Sequence, residues 1–211
     1  MQTWSVLSQK GGAGKTTVAL HLAIAAMQTG LPVLVIDVDP QQSAVKWANI
    51  RGSDSPRVKA VITPDLPKAL VDAERRGVKL VIVDTSPRAD RDCIEICRRA
   101  DFVIVPVRPS VMDIPAVEET MNLIDQAGQR HKSVIVLNAV PANTSEGAEA
   151  ADVLTQIGEL LPLTLGDRVD FRRALTGGQG VTEFAPKSKA AAEVLLLYKA
   201  IAEKAGLQAE S

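Results

Sequence analysis

The chain is 211 residues long, 46% hydrophobic, 23% charged and 3% aromatic, with a formal net charge of −1. This is an ordinary soluble α/β composition with material for a substantial core of Val, Ile, Leu and Ala, and it excludes a polyelectrolyte that holds nucleic acid by its overall field. Two cysteines four residues apart, Cys93 and Cys97, suit neither a disulfide framework nor a two-pair zinc site, and no apolar run reaches the roughly 18 residues of a membrane span.

The first apolar run, Trp4–Leu7, precedes a glycine-rich loop and a helical pattern over Lys15–Gln28. Val33–Ile36 follows, then a shorter run at Val58–Ile62 that reads as an edge strand, then helical spacing over Leu66–Arg76. Leu80–Val83, a helix over Asp92–Arg99, Phe102–Val107, a helix over Ala116–Gln126, Val134–Leu137 and a helix over Glu146–Leu160 continue the alternation. The apolar runs are continuous and β-branched, the pattern of strands buried on both faces. Strand and helix in alternation predict an α/β fold of three layers, a mostly parallel central sheet with helices on both faces. After Leu165 the chain changes to a turn at Gly166 and Asp167, a short basic stretch, a loop around Gly177–Gly180 and a final helix over Lys189–Lys204. In that helix Ala191, Val194, Leu195, Tyr198, Ile201, Ala202 and Ala205 recur at helical spacing, so one face should pack on the body. One domain over residues 1–205 with a short tail over 206–211 is the expected organisation, and a cytoplasmic location is the default in the absence of a leader pattern.

The chemistry concentrates in "VLSQKGGAGKTTVALHLA", Val6 to Ala23. A strand, a glycine loop and a helix in this order build a phosphate cradle: glycines let backbone N–H groups converge on an anion, and the helix adds its positive N-terminal end. Lys15 is then placed to meet the β- and γ-phosphates, Thr16 to ligate Mg²⁺, and Thr17 to follow along the phosphate chain. Two further carboxylates end apolar strands, Asp37 with Asp39 in "VLVIDVDPQQS" and Asp84 in "LVIVDTSP". Open parallel sheets collect ligands at those ends. Asp84 is expected in the Mg²⁺ shell and Asp39 at the attacking water, with Asp37 in support; a helix N-cap ahead of Gln41 and Gln42 is the other reading of Asp39. Asn138, ending the run "VIVLNAVPA", reads from its position as a loop cap.

The loop departs from the general phosphate-loop pattern by carrying Gln9 where a first glycine belongs, and reads Lys10-Gly11-Gly12-Ala13-Gly14-Lys15-Thr16-Thr17. It resembles the deviant Walker A box of the ParA/MinD superfamily of P-loop ATPases, and the segments after the second and fourth strands resemble that family's later nucleotide boxes. The likeness extends from Thr3 to about Lys204 but is specific only at these boxes. It implies ATP and Mg²⁺ as cofactors, Asn138 as an adenine contact, and Lys10 as a signature lysine that crosses a homodimer interface to the partner's ATP. Dimerisation would then follow the nucleotide state. It also implies non-specific DNA binding through basic residues late in the chain, for which Arg168, Arg172, Arg173 and Lys189 are candidates; a merely solvated face is the plain reading of the Arg172-Arg173 pair.

The first strand starts almost at the beginning of the sequence, which resembles the short ParA class without an N-terminal helix-turn-helix. Such a protein would segregate a plasmid or chromosome locus, or position another cargo, with a ParB-like adaptor or centromere-binding protein as partner, and would be nucleoid-associated. With no arginine finger in its motifs, slow basal ATP hydrolysis accelerated by partner and DNA is expected. A MinD-like membrane-associated placement ATPase and a dethiobiotin-synthetase-like biosynthetic enzyme are the alternatives. The mixed charge of the last helix speaks against the first, so no membrane partner is expected.

Overall fold

The computed structural model describes residues 1–87 and 90–207 of the chain. The tail expected over 206–211 therefore lies outside the described residues from 208 onward. In chain order the elements are β1 (Gln2–Val6), α1 (Lys15–Gln28), β2 (Val33–Asp37), α2 (Ser43–Arg51), β3 (Arg57–Ala60), α3 (Leu66–Arg75), β4 (Leu80–Asp84) and α4 (Asp90–Arg99). There follow β5 (Phe102–Val107), α5 (Ile114–Gln126), β6 (Ser133–Val140), α6 (Glu146–Ile157), β7 (Leu160–Gly166), α7 (Val169–Thr176), α8 (Val181–Phe184) and α9 (Lys189–Lys204).

The strands form one seven-stranded sheet in the order β3-β2-β4-β1-β5-β6-β7, and every pairing among the described strands is parallel. Parallel strands need crossovers, and helices supply them, which is why both sheet faces are covered and the central strands read as unbroken apolar runs. Successive residues of one strand serve opposite layers. Val134 and Val136 pack with α1, α2, α7 and α9, whereas Ile135 and Leu137 pack with α4, α5 and α6; α3 closes the second face over Ile36, Val81 and Val83.

The structure adds a strand and three helices to the sequence expectation and shortens another helix. The helix expected to run from Glu146 to Leu160 stops at Ile157, and Leu160 instead opens β7. Pro162 hides that strand from a propensity reading. It is exposed on an edge strand, where its missing N–H faces solvent and costs no ladder bond. Helix α2 has few buried residues, Ala44 and Trp47, so its apolar period is faint. Helices α7 and α8 occupy what reads as a basic stretch and a glycine loop. Helix α9 has the expected bounds, but Leu195 is not on the packed face: Leu195 and Leu196 are about half exposed, and Leu197 is the leucine buried there. The spacing admits either of two adjacent stripes, and contact with α1, α8 and β7 selects one.

Candidate functional site

The loop between β1 and α1 is shaped by glycines at positive φ, Gly12 at 79° and Gly14 at 97°. Gly14 is constrained twice, because a Cβ there would also lie 2.0 Å from Asn138 Nδ2. The Asn138 amide donates to the Ala13 carbonyl at 2.8 Å, so the end of β6 buttresses the middle of the loop. Asn138 thus spends its amide on the protein, which favours the loop-cap reading, although it also lines the cleft.

Lys15 is nearly buried at 7% exposure and donates from Nζ to the Lys10 carbonyl at 3.2 Å, bending back over its own loop. Burial lowers its pKa, while the nearby Asp84 and Asp39 carboxylates pull the other way. Lys10 points elsewhere. Its Nζ lies 3.3 Å from Asp113 Oδ1, a buried carboxylate just ahead of α5, and its own side chain is 45% exposed. The two lysines of one loop therefore have separate partners in the chain.

Asp84 ends β4 fully buried. Among the described residues neither of its carboxylate oxygens has a hydrogen-bond partner of good geometry, and burial raises its pKa to about 7 even though the Thr16 hydroxyl works in the opposite direction. Buried carboxylate oxygens without donors are costly unless a cation meets them. Among the described residues no three His, Cys, Asp or Glu side chains cluster as a metal site. The donors here are one hydroxyl and one carboxylate, the sparse set that suits Mg²⁺ shared with phosphate and water. Asp37 differs in its work: Oδ1 accepts from Asp39 N at 3.0 Å, and Oδ2 accepts from Ala44 N at 2.9 Å and Val45 N at 3.2 Å. It thereby caps α2 and fixes the β2–α2 loop. The Asp39 side chain accepts from Gln41 N at 2.8 Å, in a local turn, and lines the cleft.

The cleft above these groups is about 460 Å³, within the range of nucleotide-sized sites. Its walls include the glycine loop, Thr16, Thr17, Arg108, Phe171 and the turn at Gly166–Arg168. A larger groove of about 800 Å³ opens between α2, β3 and α3 but lies at the N-terminal ends of β2 and β3 and holds none of these groups. Two of the late arginines, Arg168 and Arg172, line the cleft and are paired with carboxylates, Arg172 while also exposed. Arg168 Nε is 2.9 Å and 3.0 Å from the two oxygens of Glu193 on α9, which raises its pKa, and Arg172 pairs with Asp167 at 2.8 Å. Arg173 and Lys189 are exposed. Two cleft residues have no motif signal in the sequence: Phe171, which meets the buried His21 of α1 edge-on at 5.1 Å, and Arg108 at the end of β5.

The chain is 33% identical over 158 residues to "Maintenance of carboxysome distribution protein A" of Gloeobacter kilaueensis, covering 73% of this chain and 71% of that protein. It is 34% identical over 122 residues to "Protein ParA" of Rhizobium radiobacter, covering 56% of this chain and 54% of that one. The McdA–ATP complex of Cyanothece shares the fold, with a TM-score of 0.76 over all of this chain and 98% of that one at 15% identity. The profile described as "CobQ/CobB/MinD/ParA nucleotide binding domain" matches residues 4–181, and the chain belongs to that family.

Proposed function

We propose that this protein is an ATP-hydrolysing switch of ParA type, dimeric with ATP, that positions a cargo by binding DNA non-specifically in that state. The observation that carries the reading is the division of labour between the two lysines. Lys15 is folded into its own cleft, whereas Lys10 is half exposed and tied to a single carboxylate, free to exchange Asp113 for the phosphates of a facing copy. A second ammonium on one loop adds mostly repulsion within one cleft but attraction between two. Thr16 and Asp84 are suited to hold Mg²⁺, which when bound neutralises charge developing on the phosphates. Asp39, held by a local turn, is suited to orient a water.

The matched relatives include one named for carboxysome distribution and one named for chromosome partitioning, so the cargo class in this reading is a DNA locus or a large protein body, reached through an adaptor of ParB type. Arg173 and Lys189, doubled by a two-fold dimer, supply the DNA contacts in this reading, and nucleoid association follows. The family's CobQ/CobB branch represents the biosynthetic alternative. Co-sedimentation with DNA and with liposomes, each with and without ATP, separates the readings: ATP-dependent pelleting with DNA supports the proposal. Pelleting with liposomes alone, or ATP turnover that needs a small metabolite and not DNA, overturns it. Asp39→Ala should trap the dimer in saturating ATP, and a monomer by light scattering would count against the switch.

A further inference from the structure

The cleft contains four cationic side chains, Lys15, Arg108, Arg168 and Arg172. Three are already engaged: Lys15 with the Lys10 carbonyl, Arg168 with Glu193 and Arg172 with Asp167. Arg108 is exposed and, among the described residues, makes no ion pair or side-chain hydrogen bond. Its place is fixed by the sheet and not by loop chance. Val107 is the last residue of β5 and stands opposite Leu137 of β6, so Arg108 emerges beside Asn138, the residue that holds the glycine loop. The acids Asp39 and Asp84 approach the loop from β2 and β4, on the other side of β1. Arg108 is on the β5–β6 side, where the acids Asp113 and Asp167 are already paired with Lys10 and Arg172.

We infer that Arg108 is a nucleotide-binding residue of this chain, contacting the phosphate chain of the nucleotide in its own cleft from the β5–β6 side. The inference rests on the nucleotide reading above. An arginine fork at a backbone-lined anion site is suited to phosphate oxygens, and its lack of a protein partner means that binding breaks no bond. It also adds a second positive charge in cis that does not depend on dimerisation, separating nucleotide capture from the role given to Lys10.

The experiment is thermal unfolding at a concentration too low for dimerisation, titrated with Mg-ATP and separately with Mg-tripolyphosphate. The proteins are the wild type, Arg108→Ala, Arg108→Gln as a second neutral variant, and Lys15→Gln as a control for the cleft. Both Arg108 variants should unfold at the wild-type midpoint without ligand, because the guanidinium holds nothing in the free protein. Each should need on the order of tenfold more of either ligand for the same rise in midpoint, the scale of one lost charge-assisted hydrogen bond. Titrations superimposable on the wild type would overturn the inference and leave the nucleotide reading standing. A defect with ATP but none with tripolyphosphate would move the contact to the nucleoside and overturn the phosphate assignment. A wild type that neither ligand stabilises would overturn the nucleotide reading and this inference with it.

Discussion

Asp84 and His21 show how single buried groups tie the cleft to the stability of the free protein. Burial raises the Asp84 pKa to about 7, so the folded state binds its proton more tightly than the unfolded chain. Its contribution is fully present at pH below about 4 and is lost as pH rises toward 7. His21 has the opposite sign. Burial lowers its pKa to about 4, with Nδ1 2.7 Å from the Thr17 carbonyl, so the unfolded chain takes the proton first and stability falls as pH drops from about 6.5 toward 4. In the wild type the two slopes oppose one another in that window. Asp84→Asn should therefore be more stable than the wild type without nucleotide at pH 8, by up to about 4 kcal/mol. In that variant the acid-side loss from His21 should emerge between about pH 6.5 and 4. Urea unfolding across pH checks both; a variant no more stable than the wild type at pH 8 contradicts the burial argument. Gly14→Ala meets a positive φ and a side chain at once, and should cost about 2 kcal/mol or more. Adding Asn138→Ala should return part of that cost, which a double-mutant cycle measures. The glycines and Lys15 are legible in the sequence because their spacing is local. The Gly14–Asn138 contact joins residues far apart in the chain, and only the neighbouring strand ends reveal it.

At the scale of elements, helix α9 covers the β7 side of one layer, and an ion pair joins α2 to α8 elsewhere in that layer. Leu197 is buried at 1% exposure and Leu195 is 46% exposed. Leu197→Ala should cost about 2–4 kcal/mol and Leu195→Ala under about 0.5 kcal/mol in chemical denaturation; equal losses would mean that the helix is rotated from the face described. Arg51 at the end of α2 donates to both oxygens of Glu183 at 2.8 Å and 2.7 Å, and the same carboxylate accepts from Gly180 N at 2.9 Å. Burial works to raise the Glu183 pKa, but these donors outweigh it and leave the pKa lowered. Glu183→Ala leaves the largely buried Arg51 side chain without its anion and should cost about 2 kcal/mol at neutral pH. The loss should shrink as pH falls through the carboxylate range, since the wild type then loses the same interaction. A thermal scan at pH 7 and pH 3.5 tests the direction.

For the whole molecule, a net charge of −1 means that any hold on DNA must come from a local patch. If each protomer of a dimer offers Arg173 and Lys189, the slope of log affinity against log salt should be about −3.6, and Arg173→Ala should reduce its magnitude by about 1.8. A slope unchanged by that substitution would place the patch elsewhere. The sequence by itself determined the strand–loop–helix cradle, the carboxylates at the ends of β2 and β4, and the parallel sheet, because each depends on local spacing or on strands buried along their whole length. Only the tertiary structure decided that Arg168 is bound to Glu193, that Arg108 faces the cleft without a partner among the described residues, and that β7 forms beyond α6 despite Pro162. Those outcomes depend on which segments a folded sheet brings side by side, and no local period encodes that proximity.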